Sequence, residues 1–150
     1  MHELFERILV PLDGSARSLA TVSTAVQLAK EQHSFLVFLF VADISIRDLL
    51  AGLTKRPREA VQQEQEENGR RYLNHAAGLA EKEGVPCERV LRVGMTSAEI
   101  TALAQARGAT LIVVAKPVQH EIRGLFESRV LREIIENPCC SVLVLTGRSL

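Results

Sequence analysis

Short apolar runs alternate with segments whose apolar residues recur every three or four positions, and this alternation organises the chain. Five runs read as strands: Arg7 to Leu12, Phe35 to Ala42, Glu88 to Val93, Leu111 to Ala115 and Ser141 to Leu145. Between the first two, Leu19, Val22, Val26 and Ala29 fall on one helical face, which predicts a helix packed on a sheet. A second helix is expected over Ala60 to Lys82. Its Gln- and Glu-rich first half reads as solvated, its second half carries Leu73, Ala76, Ala77 and Ala80, and Gly84 followed by Pro86 stops it. Thr96-Ser97-Ala98-Glu99 has capping-box spacing, so a third helix is expected to open there, with Thr96 accepting from the backbone and Glu99 reaching back. A fourth is expected from about Ser128 to Glu136, ending before Pro138.

Five strands separated by four helical segments imply an α/β fold with a doubly wound, mainly parallel sheet, because right-handed crossovers place helices on both faces. Pro11 strains that reading, since proline removes a donor from a central strand; its position near the strand's end eases the conflict. A chain of 150 residues suits a single domain over 1–150, burying roughly 70% of the surface its unfolded form exposes. No repeat, linker or low-complexity tract divides it.

Charge narrows the partners. The 18 basic residues balance the 18 acidic ones, which leaves no net field to hold nucleic acid or an anionic membrane. Met1 to Arg7 lacks a basic start followed by a long apolar stretch, and no later run reaches the length of a membrane span, so a cytoplasmic protein is expected. Cys87, Cys139 and Cys140 form neither an even disulfide framework nor a spaced ligand pattern, and reduced thiols are the expectation, the adjacent pair packing at a strand entrance. His2, His33, His75 and His120 are dispersed, so no metal site is expected.

Candidate chemistry begins at Ile8-Leu9-Val10-Pro11-Leu12-Asp13-Gly14-Ser15, an apolar run that meets an acid, turns on glycine and opens a helix. In an open α/β sheet that junction lies at the strands' C-terminal edge, where ligand crevices form, which makes Asp13 the first candidate site residue. The stretch resembles the opening of the universal stress protein (UspA) family. Val41 ending the second strand, Val93-Gly94 before the third helix and Pro138-Cys139 before the closing strand extend the resemblance over nearly the whole chain. The resemblance implies a Rossmann-like, adenine nucleotide alpha hydrolase-like sheet of order 3-2-1-4-5 flanked by four helices, with a crevice between strands 1 and 4 that holds ATP in the nucleotide-binding branch. It makes Pro11, Asp13, Val41, Ala115 and Ser128 the candidate nucleotide-binding residues.

That branch carries a loop after the fourth strand in the form Gly, two residues, Gly, nine residues, then Gly-Ser or Gly-Thr opening the last helix. Glycines let backbone N–H groups approach phosphates, and the helix N-terminus adds partial positive charge. Here Ala115, Val118 and Glu127 stand at the three glycine positions, and Pro117 removes a further donor. Val118 and Glu127 are therefore candidate blocking residues. Placed at the start of the fourth helix, a Glu127 carboxylate about 4 Å from a phosphate charge repels it by roughly 4 kcal/mol at an effective dielectric of 20, about a thousandfold in affinity. Lys116, Arg123 or Arg129 would offset part of this. Two readings of Asp13 stay open, contact with adenosine or a cap on the turn into the first helix, and Ser128 likewise reads as a helix cap or a phosphate ligand.

No nucleophile elbow, Cys-His pair or Walker lysine motif is present, and no enzymatic activity is expected. The closing strand Ser141 to Leu145 is apolar on both faces yet falls at a sheet edge in the implied order, and such edges invite pairing. The family resemblance implies a homodimer through that strand. In Asp43 to Arg58, Ile46, Leu49, Leu50 and Leu53 share one helical face ahead of Lys55, Arg56 and Arg58, either as a lid or docking helix or as a helical turn over the sheet edge with a solvated basic loop after it. The function expected is a homodimeric stress-response module that recognises another protein, with impaired ATP binding. The alternatives are a sensor that binds ATP or AMP through an unusual loop and a nucleotide hydrolase.

Overall fold

The computed structural model describes residues 4–117 and 122–146, with side chains at 122 and 123 left aside. Ten elements follow one another: β1 (Arg7–Leu12), α1 (Ala16–Gln32), β2 (Phe35–Asp43), α2 (Ile44–Thr54), α3 (Arg58–Lys82), β3 (Cys87–Gly94), α4 (Thr96–Arg107), β4 (Leu111–Ala115), α5 (Ile122–Glu136) and β5 (Ser141–Leu145). The strands form one sheet in the order β3-β2-β1-β4-β5, every neighbouring pair parallel. Among the described residues no helix is long and apolar enough to cross a membrane.

Strand alternation sorts the core into two layers. On one face Ile8, Val10, Leu36, Phe38 and Phe40 meet Val22, Val26 and Ala29 of α1 and Leu73, Ala76 and Ala80 of α3. On the other, Leu9, Val37, Leu39 and Ile112 meet Ile100, Leu103 and Ala104 of α4 and Ile134 of α5. Successive strand side chains point to opposite faces, so two adjacent apolar residues in β1 feed two different helix layers.

The β1–β2 ladder runs the full length of β1, from Arg7↔Phe35 to Leu12↔Phe40. The β1–β4 ladder holds only Ile8↔Leu111 and Leu9↔Ile112. Beyond Leu9 the two strands part, and Pro11 lies past the last pair. A missing N–H there breaks no β1–β4 pair, which is how proline is accommodated in the middle strand of the sheet.

Three expectations are corrected by the structure. The sheet carries five helices rather than four, because the segment after β2 is a full helix, α2, capped by Asp43 and closed by Lys55 at φ 53°. Ala51 is its buried residue, whereas Leu49 and Leu53 stay 56% and 72% exposed, so the leucine face does not cover the sheet. The basic residues after it are exposed, as a solvated segment implies, and two of them are paired, Arg56 with Glu64 at 2.6 Å and Arg58 with Asp48 at 3.3 Å. The capping box at α4 does not form. Met95 is the N-cap residue without a side-chain bond, and the Thr96 hydroxyl donates instead to Asp43, 53 residues away. Finally α5 starts at Ile122, six residues before Ser128, so Ser128 lies exposed in the helix interior instead of at its start.

Gly69 explains how α3 lies so close to β2. A Cβ built there would sit 2.3 Å from the Phe40 ring, whereas one at Gly78, on the exposed side of the same helix, meets nothing within 4 Å. The two alanine substitutions are therefore expected to have opposite signs in denaturant unfolding. Gly78→Ala should stabilise by about 0.5–1 kcal/mol through helix propensity, and Gly69→Ala should destabilise by about 1–2 kcal/mol because overpacking exceeds that gain. Equal stabilisation by both would refute the close contact.

Candidate functional site

Where β1 and β4 part, the chain builds a crevice at the sheet's C-terminal edge, the switch point at which open α/β sheets take ligands. Its cavity measures about 90 Å³. Asp13, Ser15, Arg17 and Ser18 approach from the β1–α1 turn, Thr96 from the start of α4, and Glu127 from α5. Ile100, Val114, Phe126, Val130 and Ile134 form the apolar floor and wall.

The β1–α1 turn is held by its own polar residues. Gly14 takes φ +82°, and the Tyr72 ring lies where its Cβ would be. The Ser15 N–H donates to Asp13 Oδ1 at 2.8 Å, and the Ser18 N–H donates to Ser15 Oγ at 3.1 Å. Ser15 is thus the N-cap of α1, and Asp13 fixes the turn one step earlier. Asp13 also accepts a hydrogen bond from the Glu127 carboxyl. Partial burial pushes Asp13 up, but the bonds from Glu127, Ser15 and Ser18 outweigh it and hold the carboxyl below the usual Asp range.

Of the residues singled out in the sequence, Pro11, Asp13, Ala115 and Glu127 line this cavity. Val41 does not line it and packs instead into the α4-side core. Ser128 is also absent from the lining. Val118 lies outside the described residues. Glu127 occupies the sixth position of α5 rather than its first, so it acts on the crevice through its carboxyl and not by sitting on the helix dipole. Arg129 pairs with Glu133 at 2.9 Å, which commits one of the cations expected to offset Glu127.

Three contributors were not singled out for this site. Arg17 lines the cavity and its Nη1 donates to the Lys116 carbonyl at 2.8 Å, tying α1 to the segment leaving β4. Thr96 is positioned by Asp43, the third contributor. The Asp43 carboxylate is 2% exposed and divided between two helix starts: Oδ1 accepts from Ser45 N–H at 2.9 Å, Ile46 N–H at 3.2 Å and the Ser45 hydroxyl, while Oδ2 accepts from Thr96 N–H at 2.9 Å and Thr96 Oγ1 at 2.6 Å. The Asp-x-Ser spacing after an apolar strand signals the α2 cap. Nothing local signals the reach to Thr96. Among the described residues, no group of three or more His, Cys, Asp or Glu side chains is placed to hold a metal ion.

This architecture, a parallel sheet wound in both directions with its crevice at the reversal point, defines a Rossmann-like α/β protein. The Universal stress protein family model matches residues 4–146, and the chain belongs to that family. It is 28% identical over 144 residues to universal stress protein MJ0531 of Methanocaldococcus jannaschii, covering 95% of this chain and 83% of the relative. Among solved structures it is similar to a universal stress protein family member from Burkholderia pseudomallei, with TM-score 0.73, 25% identity, and 97% and 98% of the two chains covered. It is also similar in fold to the universal stress protein from Archaeoglobus fulgidus in complex with dAMP, with TM-score 0.68, 19% identity, and 95% and 99% covered.

Asp43 gives the site a pH signature. Burial raises its pKa, but the bonds from Ser45, Thr96 and Ile46 prevail and hold it below the ordinary Asp value. Its stabilisation is therefore complete above the unfolded carboxyl's pKa of about 3.9, and is lost as pH falls through the lower folded value. Asp43→Asn turns one acceptor into a donor facing the Thr96 N–H, and is expected to cost about 2–3 kcal/mol at neutral pH. The same substitution should flatten the acid limb of stability against pH. An unchanged acid limb in denaturant titrations would remove Asp43 from this role.

Proposed function

We propose that this universal stress protein is a non-catalytic, homodimeric interaction module whose nucleotide crevice is impaired for ATP. The observation that supports the impaired crevice is Glu127 on α5, bonded to Asp13 across the gap where the resemblance places a nucleotide. Size points the same way. A cavity that admits benzene is about 150 Å³, and the crevice offers about 90 Å³, a narrow space for an adenine ring. Phe126 and Glu127 of α5 narrow the crevice from one side.

A second reading, an adenine-nucleotide sensor, is favoured by one observation: the Archaeoglobus protein of the same fold is in complex with dAMP. Calorimetric titration of Mg·ATP and AMP separates the two. Glu127→Ala is the paired variant, since glycine inside α5 would itself cost about 1 kcal/mol of helix. The parent chain is expected to bind no Mg·ATP at micromolar affinity, and the variant to gain at least tenfold for AMP. Saturable binding of Mg·ATP to the parent would overturn the impaired-site reading; tight AMP binding by the parent would establish the sensor.

The dimer reading rests on how unequal the two sheet edges are. Edge strand β3 carries Glu88, Arg89 and Arg92, charges that discourage pairing. Edge strand β5 reads Ser-Val-Leu-Val-Leu, and Leu143 is 38% exposed. Parent protein should sediment as a dimer at micromolar concentration, and Leu143→Lys should give a folded monomer with unchanged circular dichroism. A monomeric parent would end this reading.

A further inference from the structure

We propose that Cys139 and Cys140 form a dithiol site that captures trivalent arsenic compounds, at the end of the sheet opposite the crevice. Neighbouring residues in a strand point to opposite faces, so adjacency in sequence does not by itself bring two thiols together. Here the backbone bends at Cys139 and Cys140 before β5 begins, out of the strict alternation of the strand, and the two thiols lie close enough to influence one another. Cys139 is exposed, while Cys140 is half-buried and packs against the α4- and α5-side core.

Backbone geometry disfavours the competing fate, an internal disulfide. The described residues contain no cis peptide bond, and a trans peptide holds adjacent Cα atoms about 3.8 Å apart, short of the roughly 4.4–6.8 Å that disulfides span. The pair is therefore held as two free thiols on one narrow bite. Thiophilic metal cations fit that bite poorly. Two-coordinate soft cations prefer sulfurs on opposite sides of the metal, and tetrahedral zinc needs four ligands, whereas no third His, Cys, Asp or Glu joins the pair among the described residues. Trivalent arsenic bonds two sulfurs at an angle near ninety degrees and leaves its third position outward.

The chemistry needs no oxidant. With an arsenic(III) oxide R–As=O, two As–S bonds form, both thiol protons leave with the oxygen as one water, and arsenic stays trivalent. The exposed Cys139 reacts first, and Cys140 then closes the ring intramolecularly at high effective concentration. Burial, with Cys139 alongside, pushes the Cys140 thiol up to about 11, so at neutral pH it remains a thiol that contributes its proton to the departing water. The product is neutral, and no charge is left beside the apolar core. Cys87 lies on β3, at the far edge of the sheet, and stands apart from the pair.

Phenylarsine oxide tests the assignment on the full reduced chain, read by intact mass and by thermal unfolding. One phenylarsenic group per chain is expected, resistant to excess glutathione, released by a small dithiol, and accompanied by a higher Tm. Cys139→Ser and Cys140→Ser should each weaken capture by about 10²–10⁴-fold, while Cys87→Ser leaves it unchanged. Circular dichroism confirms that each variant is folded. An adduct removed by glutathione from the parent, or one that persists in either single variant of the pair, would overturn the proposal.

Discussion

The early parting of β1 from β4 is the constraint on which the rest depends. Two paired residues join these strands, against six between β1 and β2, because the winding of the parallel sheet reverses there. Connections leave the two strands for opposite faces, and no crossover bridges the gap at the C-terminal edge. The split is a wedge of backbone that the fold itself opens. Pro11 sits inside it without breaking a pair, Asp13 sits at its lip, and the α1 start faces it. What then fills the wedge decides what the protein can hold.

Asp43 couples the wedge to the opposite half of the sheet. A buried carboxylate is stable only if its lone pairs are satisfied, and this one spends one oxygen on α2 and the other on Thr96. Thr96 lines the cavity, and α2 presents Leu49 and Leu53 to solvent. A single side chain therefore fixes the rim of the crevice and the root of the most exposed apolar helix in one step. Gln65 of α3 donates to the Asp43 carbonyl at 3.1 Å and locks the same corner from a third helix.

The sheet was legible in the sequence because its signals are local and physical. Strands β1, β4 and β5 fall where short apolar runs place them, β2 runs one residue longer at its end, and β3 one residue longer at each end. The helix starts were less legible, each for a separate reason. Thr96 has capping-box spacing but gives its hydroxyl to Asp43, a long-range bond that outcompetes the local one. The helical face of α2 was visible, but its packing was not, because its leucine stripe faces solvent while its burial runs through the small residue Ala51. At the site, Asp13 and Glu127 were visible as chemistry, but their contact joins the β1–α1 turn to α5 across 114 positions, a distance no periodicity reports. Arg17 had no signal beyond its place after the Ser15 cap.

The early start of α5 carries the argument furthest. A phosphate-cradling loop needs glycine where backbone must approach an anion, and glycine is also the residue that weakens helices. On the proposed reading, Glu127 at a position where the resemblance implies glycine acts in two ways in the same direction. It removes the small residue that permits approach, and it inserts a good helix former, so the chain is helical from Ile122 onward and passes the position without a break. The phosphates of a nucleotide would then face the side of a helix rather than its N-terminus, and the side offers no free N–H groups because each is bonded within the helix. Glu127 and Phe126 occupy the wedge from that side, one bonding Asp13 and the other adding apolar bulk. On the proposed reading, loss of the phosphate cradle and filling of the wedge follow together from one helical extension, and removing the Glu127 carboxylate tests the charge while leaving the helix in place.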